Sequence, residues 1–449
     1  MNELKKGTTV LQPSHLEALS RQVLQEAKRC GADQAEVSVG ANKGFTVTAR
    51  GGDVETVEYH QDKVIDISVL FGKRSGAASI SDIRPEAVRA AVEAACHIAK
   101  FTDEDPASGL AEKDELAFDY PKMALAHPWD ITVEQAIEMA IECEHLAMAT
   151  DKRIMSAESS SVSTSESMHM YANSLGFMGW FPYTRHDISC ILVAKQKDEM
   201  QRDYSYTVSS DPKQLKSIAY IAKEAAERAA RRLGARRLPT QKAPVIFAAE
   251  EARGLLGHFV AAISGGALYR KSSFLLDHLD KKIFPEFVHI QEQPHLAHAM
   301  GSAPFDNDGV ATRDNVFIEN GILRQYALGV YSARKLGMKT TGNAGGTHNL
   351  TIKPGNQDLA ALLKTMGKGL LVTEMMGNGV NLITGDYSRG VGGFWVENGE
   401  IQFPVQEITI AGKLQEMYAR LAHVGNDVDL RGNIRTGSIL LEEMMIAGE

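Results

Sequence analysis

The side chains best suited to bind a metal or to transfer protons are glutamates and histidines in the second half of the chain. Glu251 and His258 lie seven positions apart in a stretch that is predicted to be helical. Seven positions place both on nearly the same helical face, but two turns rise about 10.5 Å, which is too far for shared metal ligation. We interpret His258 as a histidine of the helix surface or of a cleft, not as a ligand.

Two other histidine groups have spacing or surroundings that suit binding. His295 and His298 are three positions apart and can hold a metal weakly if the segment is helical. Their neighbourhood is rich in histidine and interrupted by proline, which favours loop histidines instead. His348 follows the pair Gly345-Gly346. A loop histidine beside flexible glycines can line a binding groove, so His348 is a candidate cleft residue.

Familiar nucleophile and phosphate motifs are absent from the sequence. It contains no G-x-S-x-G, no P-loop and no G-x-G-x-x-G after a strand. The glycine-rich run 390–393 lacks the Lys-Ser/Thr of a P-loop. The four cysteines are far apart and show no C-x-x-C spacing. This pattern favours buried, reduced thiols over disulfides or zinc ligation.

Composition restricts the class of protein. The 449 residues are 44% hydrophobic and 23% charged, which is typical of a globular protein with several domains. The formal charge of −9 argues against a nucleic-acid partner. The basic stretch 223–242 is interpreted as the solvated face of a helix that runs into a linker. No signal sequence and no apolar segment of about 20 residues is found, so a cytoplasmic location without membrane contact is expected.

The elements before residue 102 are predicted to be helix, strands, helix. A capping box of Ser14 and Glu17 is expected to begin the first helix, and Pro85 the second. Between them, alternating segments predict an antiparallel meander with turns at Gly51-Gly52 and Gly72-Lys73. Its five predicted strands are residues 35–40, 44–50, 54–60, 64–71 and 75–81.

The same order of elements recurs after a connection at 104–128. Thr132 and Gln135 predict a capped helix, strands follow from 153 to about 208, and Asp211-Pro212 is expected to open the closing helix. The repetition indicates two related α+β subdomains.

Beyond residue 240 the chain is rich in glycine, and a mainly β domain is predicted there, barrel-like or sandwich-like, with few helices. Asn320-Gly321 and Asn398-Gly399 predict hairpin turns within it. The predicted fold class is therefore α+β, with two helix–meander–helix subdomains before this domain. The predicted domains are 1–103, 129–235 and 241–449.

Seven sequence segments, called phrases below, carry a specific resemblance to a known family. The sequence resembles the TldD/PmbA metallopeptidase family, and within it the PmbA (TldE) branch, over nearly its whole length. The phrases are GADQAEV at 31–37, APVIFAAEEARGLLGHFVAAISGG at 243–266, ENGIL at 319–323, YSARKLG at 331–337, TGNAGGTHN at 341–349, ITGDYSRGVGGFWVENGEIQFPVQEITIAG at 383–412 and VGNDV at 424–428.

In the sister TldD-type branch, a strand similar to 245–247 leads into a helix with the motif H-E-x-x-x-H. Its histidines bind zinc, and its glutamate activates the metal-bound water. The resemblance places Glu250 at the first histidine, Glu251 at the glutamate and Leu255 at the second histidine. Leucine cannot bind zinc. Sister chains also supply a cysteine ligand near the C-terminus, whereas no cysteine follows Cys190 here.

The resemblance implies a cytoplasmic peptidase that cleaves unfolded peptides, matures peptide-antibiotic precursors and degrades antitoxins. This chain is expected to be the subunit without zinc, binding no cofactor itself, with zinc in a TldD-type sister subunit. Whether the chain is itself an enzyme, and whether it forms a homodimer in isolation, stays open. Glu251 is the candidate catalytic residue, Glu250 and Leu255 occupy the other motif positions, and His258 and His348 are candidate cleft residues.

Two alternatives remain at this point. The first is a non-enzymatic regulatory binding protein of the DNA gyrase modulator type. The second is a self-sufficient hydrolase that uses Glu251 with ligands that the sequence does not reveal.

The resemblance also predicts where the subunits meet. A pseudo-symmetric pair uses the same patch on both chains, which favours the segments 319–337 and 393–410. Tyr331, Phe394 and Trp395 are the candidate anchors, and a place in the strand core is the equally weighted alternative.

Overall fold

The N-terminal half combines helices with long antiparallel strands. A computed structural model of the protein describes residues 12–448. Residues 1–11, where part of the signal-sequence expectation and the start of the first predicted domain fall, lie outside the described residues, as does Glu449. The elements of this half are α1 Pro13–Arg29, β1 Gln34–Arg50, β2 Asp53–Phe71, β3 Arg74–Ile80, α2 Pro85–Phe101, α3 Val133–Thr150, β4 Ile154–Asn173, β5 Met178–Gln196, β6 Glu199–Ser209 and α4 Ile218–Arg231.

These strands form one six-stranded sheet in the order β3-β2-β1-β4-β5-β6. The helix–strands–helix order is present twice, and β1 pairs antiparallel with β4 between the two units. Helices α1 and α2 pack over one end of the sheet, and α3 and α4 over the other. The two predicted subdomains therefore share a single sheet, while the boundaries 1–103 and 129–235 stay a prediction.

The five short strands predicted before residue 82 are three in the structure. Residues 35–40 and 44–50 belong to β1, and residues 54–60 and 64–71 to β2. Gly44 does not break β1: a Cβ there would collide with the carbonyl oxygen of Thr164 on β4, so glycine permits close strand approach.

Helix starts follow the sequence signals only in part. The prediction of a Ser14–Glu17 capping box is wrong. Helix α1 begins at Pro13, its N-cap is Gln12, and no side chain caps it. At α3 the capping box is confirmed: Thr132 Oγ1 accepts from the Gln135 amide at 3.2 Å, and the Gln135 side chain accepts from the Thr132 amide at 2.9 Å.

The closing helix α4 begins later than predicted. Asp211 caps a 3₁₀ turn, Pro212–Gln214, and α4 itself starts at Ile218 with Ser217 as its N-cap. Three residues, 215–217, separate the two elements.

The C-terminal half contains both strands and helices. Its elements are β7 Gln241–Phe247, α5 Ala249–Ile263, α6 Gly265–Tyr269, β8 Ile290–Glu292, β9 Asn315–Glu319, β10 Ile322–Leu323, α7 Val330–Lys335, β11 Leu350–Ile352, α8 Leu359–Met366, β12 Gly369–Met376, β13 Asp386–Glu397, β14 Glu400–Lys413, α9 Leu414–Ala419, β15 Leu421–Val424, β16 Ile434–Arg435 and β17 Ile439–Ala447.

These strands include a closed β-barrel, one of the two architectures predicted. Strands β14, β13, β12, β7 and β17 are neighbours in this order, and β14 also pairs with β17, which closes the ring. A smaller sheet has the order β10-β9-β8-β11-β16.

Both predicted hairpins are confirmed. Asn398 and Gly399 connect β13 to β14 with φ of 54° and 75°, and Asn320 and Gly321 connect β9 to β10 with φ of 51° and 77°. Positive φ at both central residues is the requirement of a type I′ turn, which Asn-Gly satisfies at low cost.

The aromatic residues proposed as interface anchors lie mainly inside the fold. Trp395 is 5% exposed and Phe394 is 2% exposed, so neither can contact a partner without unfolding of the barrel. Tyr331 is 40% exposed, and its hydroxyl donates to Asp105 at 2.7 Å. The strand-core alternative therefore holds for Phe394 and Trp395, and only Tyr331 stays a candidate anchor.

All four cysteines are free; Cys96, Cys143 and Cys190 are buried as predicted, whereas Cys30 is half-buried. No helix within residues 12–448 is both long enough and apolar enough to cross a lipid bilayer.

Candidate functional site

The site begins where β7 leads into α5. The Ala248 amide donates to the Val372 carbonyl of the neighbouring strand β12 at 3.0 Å, so the start of α5 is fixed to the barrel. Glu250 and Glu251 occupy its first turn. The positive end of a helix dipole stabilises carboxylates at this position.

Glu250 is held by two arginines from other parts of the fold. Arg228 of α4 donates to both of its carboxylate oxygens, at 2.9 and 3.1 Å, and Arg431 donates to Oε1 at 2.5 Å. Burial by itself would raise the pKa of Glu250. The hydrogen bonds and charges of the two arginines outweigh burial and lower this pKa to about 2. Glu250 is therefore an ionised partner of arginine near neutral pH.

Two aspartates extend this ion-pair network. Asp203 of β6 lies 3.4 Å from Arg228 Nε, and Asp429 accepts from Arg431 Nε at 2.9 Å. Asp429 also lies 3.4 Å from Arg253 on α5. The network joins one edge of the large sheet to the barrel half, because α4 and the edge strand β6 contribute from one side and α5 and the 427–431 loop from the other.

The basic stretch 223–242 is only in part the solvated helix face that its sequence suggested: Arg231, Arg236 and Arg237 are exposed, whereas Arg228 and Arg232 are not. Arg228 is 9% exposed, and Arg232 pairs with Asp203 and Glu374. Arg236 lies over the ring of Phe403 at 4.7 Å. The correction follows from packing: alanines of α4 bury against the sheet, and the arginines beside them meet carboxylates and rings of the barrel.

Glu251 has a different environment from its neighbour. Within the described chain, no hydrogen bond or ion pair joins its carboxylate to another residue. Burial, followed by the negative charge of Glu250, raises the pKa of Glu251 to about 7. Its raised pKa suits a group that exchanges protons near neutrality, and such a pKa is also what an unpaired, half-buried carboxyl has without any catalytic role.

A stability measurement tests this environment. Because the folded-state pKa of Glu251 is raised, its carboxyl stabilises the fold below the unfolded-state pKa of about 4.5. This contribution to stability is lost as pH rises through about 7. Glu251→Gln should therefore gain stability relative to wild type by about 2–3 kcal/mol between pH 5 and pH 8, measured by urea unfolding. Glu86→Gln, at an exposed helix position, should show no such trend. Parallel pH profiles for wild type and Glu251→Gln would contradict the assignment.

The other positions of the motif face the interior. Leu255 is 1% exposed, and its carbonyl accepts from the Tyr418 hydroxyl at 3.1 Å. His258 lies edge-on to Tyr387 with ring centroids 5.9 Å apart, and its Nε2 is buried without a hydrogen-bond partner. Burial, with a contribution from the charge of Arg389, lowers the pKa of His258.

The donor set on α5 does not fit a zinc ion. Zinc at a catalytic centre needs about three protein ligands and an open position. Here Glu250 is neutralised by Arg228 and Arg431, whose positive charges repel a cation, and Leu255 offers no donor. On α5 no metal-binding side chain lies one turn from His258, and Glu251 is two turns away. No catalytic step through a zinc ion is therefore derived for α5.

A cavity of about 880 Å³ opens beside Glu250. It is bounded by β6, α4, the first turn of α5 and the loops 297–300 and 427–431. Charged side chains of both signs line it, among them Arg228, Arg231, Glu250, Asp429 and Arg435. The cavity is large enough for several residues of an extended peptide, and its walls are polar enough to bind backbone amides.

Of the remaining candidate histidines, His298 lines this cavity, whereas His295 and His348 do not. The His348 amide donates to Glu292 Oε2 at 2.7 Å, and its ring Nδ1 lies 3.6 Å from the same oxygen. This buried polar cluster belongs to the small sheet and is not part of the cavity lining. His295 Nε2 lies 3.0 Å from Thr312 Oγ1, and residues 293–301 form a loop and not the helix that joint ligation by His295 and His298 required. The structure brings Glu250, Glu251, Leu255 and His258 onto one helix and places His348 apart.

Residues that sequence reasoning did not single out carry much of the site. Arg228 lay in the noted basic stretch, and Asp427 and Asp429 lie in or beside the noted phrase VGNDV. No sequence pattern pointed to Asp203 or Arg431, because nothing in the neighbouring sequence distinguishes them from the other charged residues of the chain.

Comparisons with known proteins identify a family whose domains match this chain. The PmbA/TldA metallopeptidase domain 1 matches residues 35–99, the central domain matches 126–233 and the C-terminal domain matches 240–448.

Two relatives and two solved structures extend the comparison. The chain is 46% identical to Metalloprotease PmbA of Escherichia coli O157:H7, covering 97% of this chain and 98% of that protein. It is 47% identical to the Metalloprotease PmbA homolog of Haemophilus influenzae, covering 94% of each. A putative modulator of DNA gyrase from Bacteroides thetaiotaomicron superposes with a TM-score of 0.91 at 26% identity, covering 96% and 99%. TldE from Thermococcus kodakarensis shares the fold, with a TM-score of 0.80 at 20% identity, covering 96% and 100%.

The three matched domains cover most of the chain, and the two relatives share nearly half of its residues from end to end. The chain therefore belongs to the PmbA/TldA metallopeptidase family.

Proposed function

We propose that this chain is the subunit without a catalytic zinc in a two-protein cytoplasmic peptidase, and that it helps to enclose unfolded peptides for cleavage by a TldD-type sister subunit. The catalytic zinc of the complex belongs to that sister. Precursors of peptide antibiotics and labile antitoxins are the substrates that the family resemblance suggests.

The observation that carries the proposal is the state of Glu250. A chain that bound zinc on α5 would present free donor atoms at this position. Instead, two arginines occupy the carboxylate at hydrogen-bond distance, and Leu255 is part of the core one turn later. This arrangement supports a binding role for the cavity in place of a hydrolytic one.

The edge of the large sheet supports peptide binding. Strand β6 is the last strand of its sheet, and residues 206–209 of β6 line the cavity. An extended peptide can add to a sheet edge through backbone hydrogen bonds, which gives affinity with little dependence on side chains. This mode suits a subunit that admits many unfolded sequences.

Assays of the separate and combined subunits test the proposal. The isolated chain should not hydrolyse an unfolded casein-like substrate, whereas a mixture with the zinc-bearing sister should. Glu251→Gln in this chain should leave the activity of the complex within about twofold of wild type, because a general base has no function without a metal-bound water in its own site.

Hydrolysis by the isolated chain that Glu251→Gln abolishes would overturn the proposal and favour a self-sufficient hydrolase. Recovery of gyrase from a pull-down, without any sister peptidase, would also overturn it and favour the regulatory binding protein.

A further inference from the structure

Three side chains with metal-binding donor atoms converge at the junction of the two halves of the chain. They are His127 from the connection before α3, Asp211 after β6 and His298 from the loop between β8 and β9. One donor atom of each lies within 4.8 Å of the other two. Positions 127, 211 and 298 are far apart in sequence, so no spacing motif announces this group.

The environment of His127 leaves one ring nitrogen available. Its Nε2 lies 3.0 Å from the carbonyl oxygen of Ala124. A carbonyl can only accept, so Nε2 carries the hydrogen and Nδ1 keeps a free lone pair in the neutral ring. A hydrogen bond of this kind, on the nitrogen away from the ion, orients most histidine ligands in metalloproteins.

The two carboxylate oxygens of Asp211 have different surroundings. Oδ1 accepts from the Lys213 amide at 3.0 Å and caps the 3₁₀ turn. Oδ2 lies 3.9 Å from Nδ1 of His298, beyond hydrogen-bond distance. One oxygen is therefore held by the backbone while the other faces the histidines.

His298 shows two features without another explanation in the fold. Its Nδ1 is buried and has no hydrogen-bond partner, which is costly for a polar atom. Its backbone has a φ of 57°, in the left-handed region that residues with a side chain seldom adopt. The Ser210 hydroxyl donates to the His298 carbonyl at 3.1 Å and ties this loop to the end of β6, next to Asp211.

We propose that His127, Asp211 and His298 bind a divalent ion of the zinc class. Two imidazoles and one carboxylate suit this ion, and three protein ligands leave a fourth position open. His298 also lines the 880 Å³ cavity, so the open position is adjacent to the space proposed for peptide binding. The site is separate from α5, and the proposal departs from the expectation that this chain binds no metal at all.

The ligands must move slightly to close around an ion. The two imidazole rings stack with centroids 4.6 Å apart and 26° between their planes. Donor atoms around tetrahedral zinc lie roughly 3.3 Å apart, given zinc–nitrogen bonds of about 2.0 Å. Each ring must therefore tilt toward the ion. The His298 side chain is 36% exposed, which leaves it room to do so.

Titration of the full-length, EDTA-treated chain with Zn²⁺ against a chromophoric competitor tests the site. One equivalent of zinc should bind, and Co²⁺ should give the visible absorption of a tetrahedral ion. His298→Asn and Asp211→Asn should each weaken binding by at least about 100-fold, because loss of an outer partner alone costs about 10–100-fold. Asparagine retains the capping ability of Asp211, so the metal-free variants should keep the wild-type melting temperature.

Two matched variants locate the ion. His295→Asn, in the same loop, and His258→Asn, on α5, should bind zinc as wild type does. Absence of binding in wild type, or equal affinity in His298→Asn and Asp211→Asn, would overturn the site. Loss of zinc in His258→Asn alone would assign the ion to α5, which would contradict both this site and the zinc-free α5 of the proposed function. Absence of binding at all would leave that proposal intact.

Discussion

Arg228→Ala should destabilise the protein by about 3 kcal/mol or more at pH 7. Arg228 is 9% exposed and pairs with Glu250 on α5 and with Asp203 on β6. Removing one partner of a buried ion pair leaves a charge without compensation, which costs about 3–5 kcal/mol. Glu250 keeps Arg431 as a partner, so we expect the lower end of this range. Urea unfolding of the isolated chain measures the loss.

The pH dependence of this loss follows from Glu250. A carboxyl with a lowered folded-state pKa contributes stability that is present above its unfolded value of about 4.5 and is lost as pH falls through about 2. The difference between wild type and Arg228→Ala should therefore shrink as pH falls from 5 toward 3.

An exposed pair is the matched control. Arg202 pairs with Glu158 at the surface, where both side chains are about half exposed. Arg202→Ala should cost no more than about 1 kcal/mol, since solvent and salt screen such pairs. Equal losses for Arg202→Ala and Arg228→Ala would show that the network on α5 has no special contribution to stability.

Trp395→Ala should cost about 3–5 kcal/mol in the isolated chain, before any partner is added. Trp395 is 5% exposed and packs in the barrel core, where β13 aligns it with Leu370 on β12 and with Phe403 on β14. The indole NH also donates to Glu397 at 3.1 Å. Truncation removes the apolar contacts and leaves a cavity that the closed barrel cannot fill. Thermal and urea unfolding measure the effect.

Phe287→Ala is the control, because Phe287 is an aromatic residue of the same half but 52% exposed. It should change stability by less than about 0.5 kcal/mol. If Trp395→Ala unfolds like wild type but no longer pairs with the sister subunit, Trp395 belongs to an interface and the core assignment is wrong.

Local signals predicted local features well. Asn320-Gly321 and Asn398-Gly399 are turns because only residues that tolerate positive φ fit both central positions. Thr132 and Gln135 cap α3 through contacts within four residues. The Ser14–Glu17 box failed because Pro13 takes the first helical position, two residues before the one that a Ser14 N-cap implies.

The predicted strand breaks in the meander failed for a tertiary reason. Glycines and polar residues at 40–44 resemble a turn in sequence, yet β1 continues through them. Strands on both sides, β2 and β4, satisfy the backbone hydrogen bonds there. A segment pairs or turns according to its neighbours, and the pairing partner β4 lies more than a hundred residues away.

The sequence by itself determined α2 and α3, the presence of α1 and α4, most turns, the mixed α+β class and the order Glu250, Glu251, Leu255 on one helix, because each depends on residues a few positions apart. The short helices α6 to α9 were not predicted. Only the tertiary structure decided what surrounds them. Arg228 and Arg431 reach Glu250 from 22 and 181 positions away, and His127, Asp211 and His298 meet from three separate segments. Charge pairing and metal ligation act over distances in space, and composition and spacing do not record which distant residues the fold brings within a few ångströms.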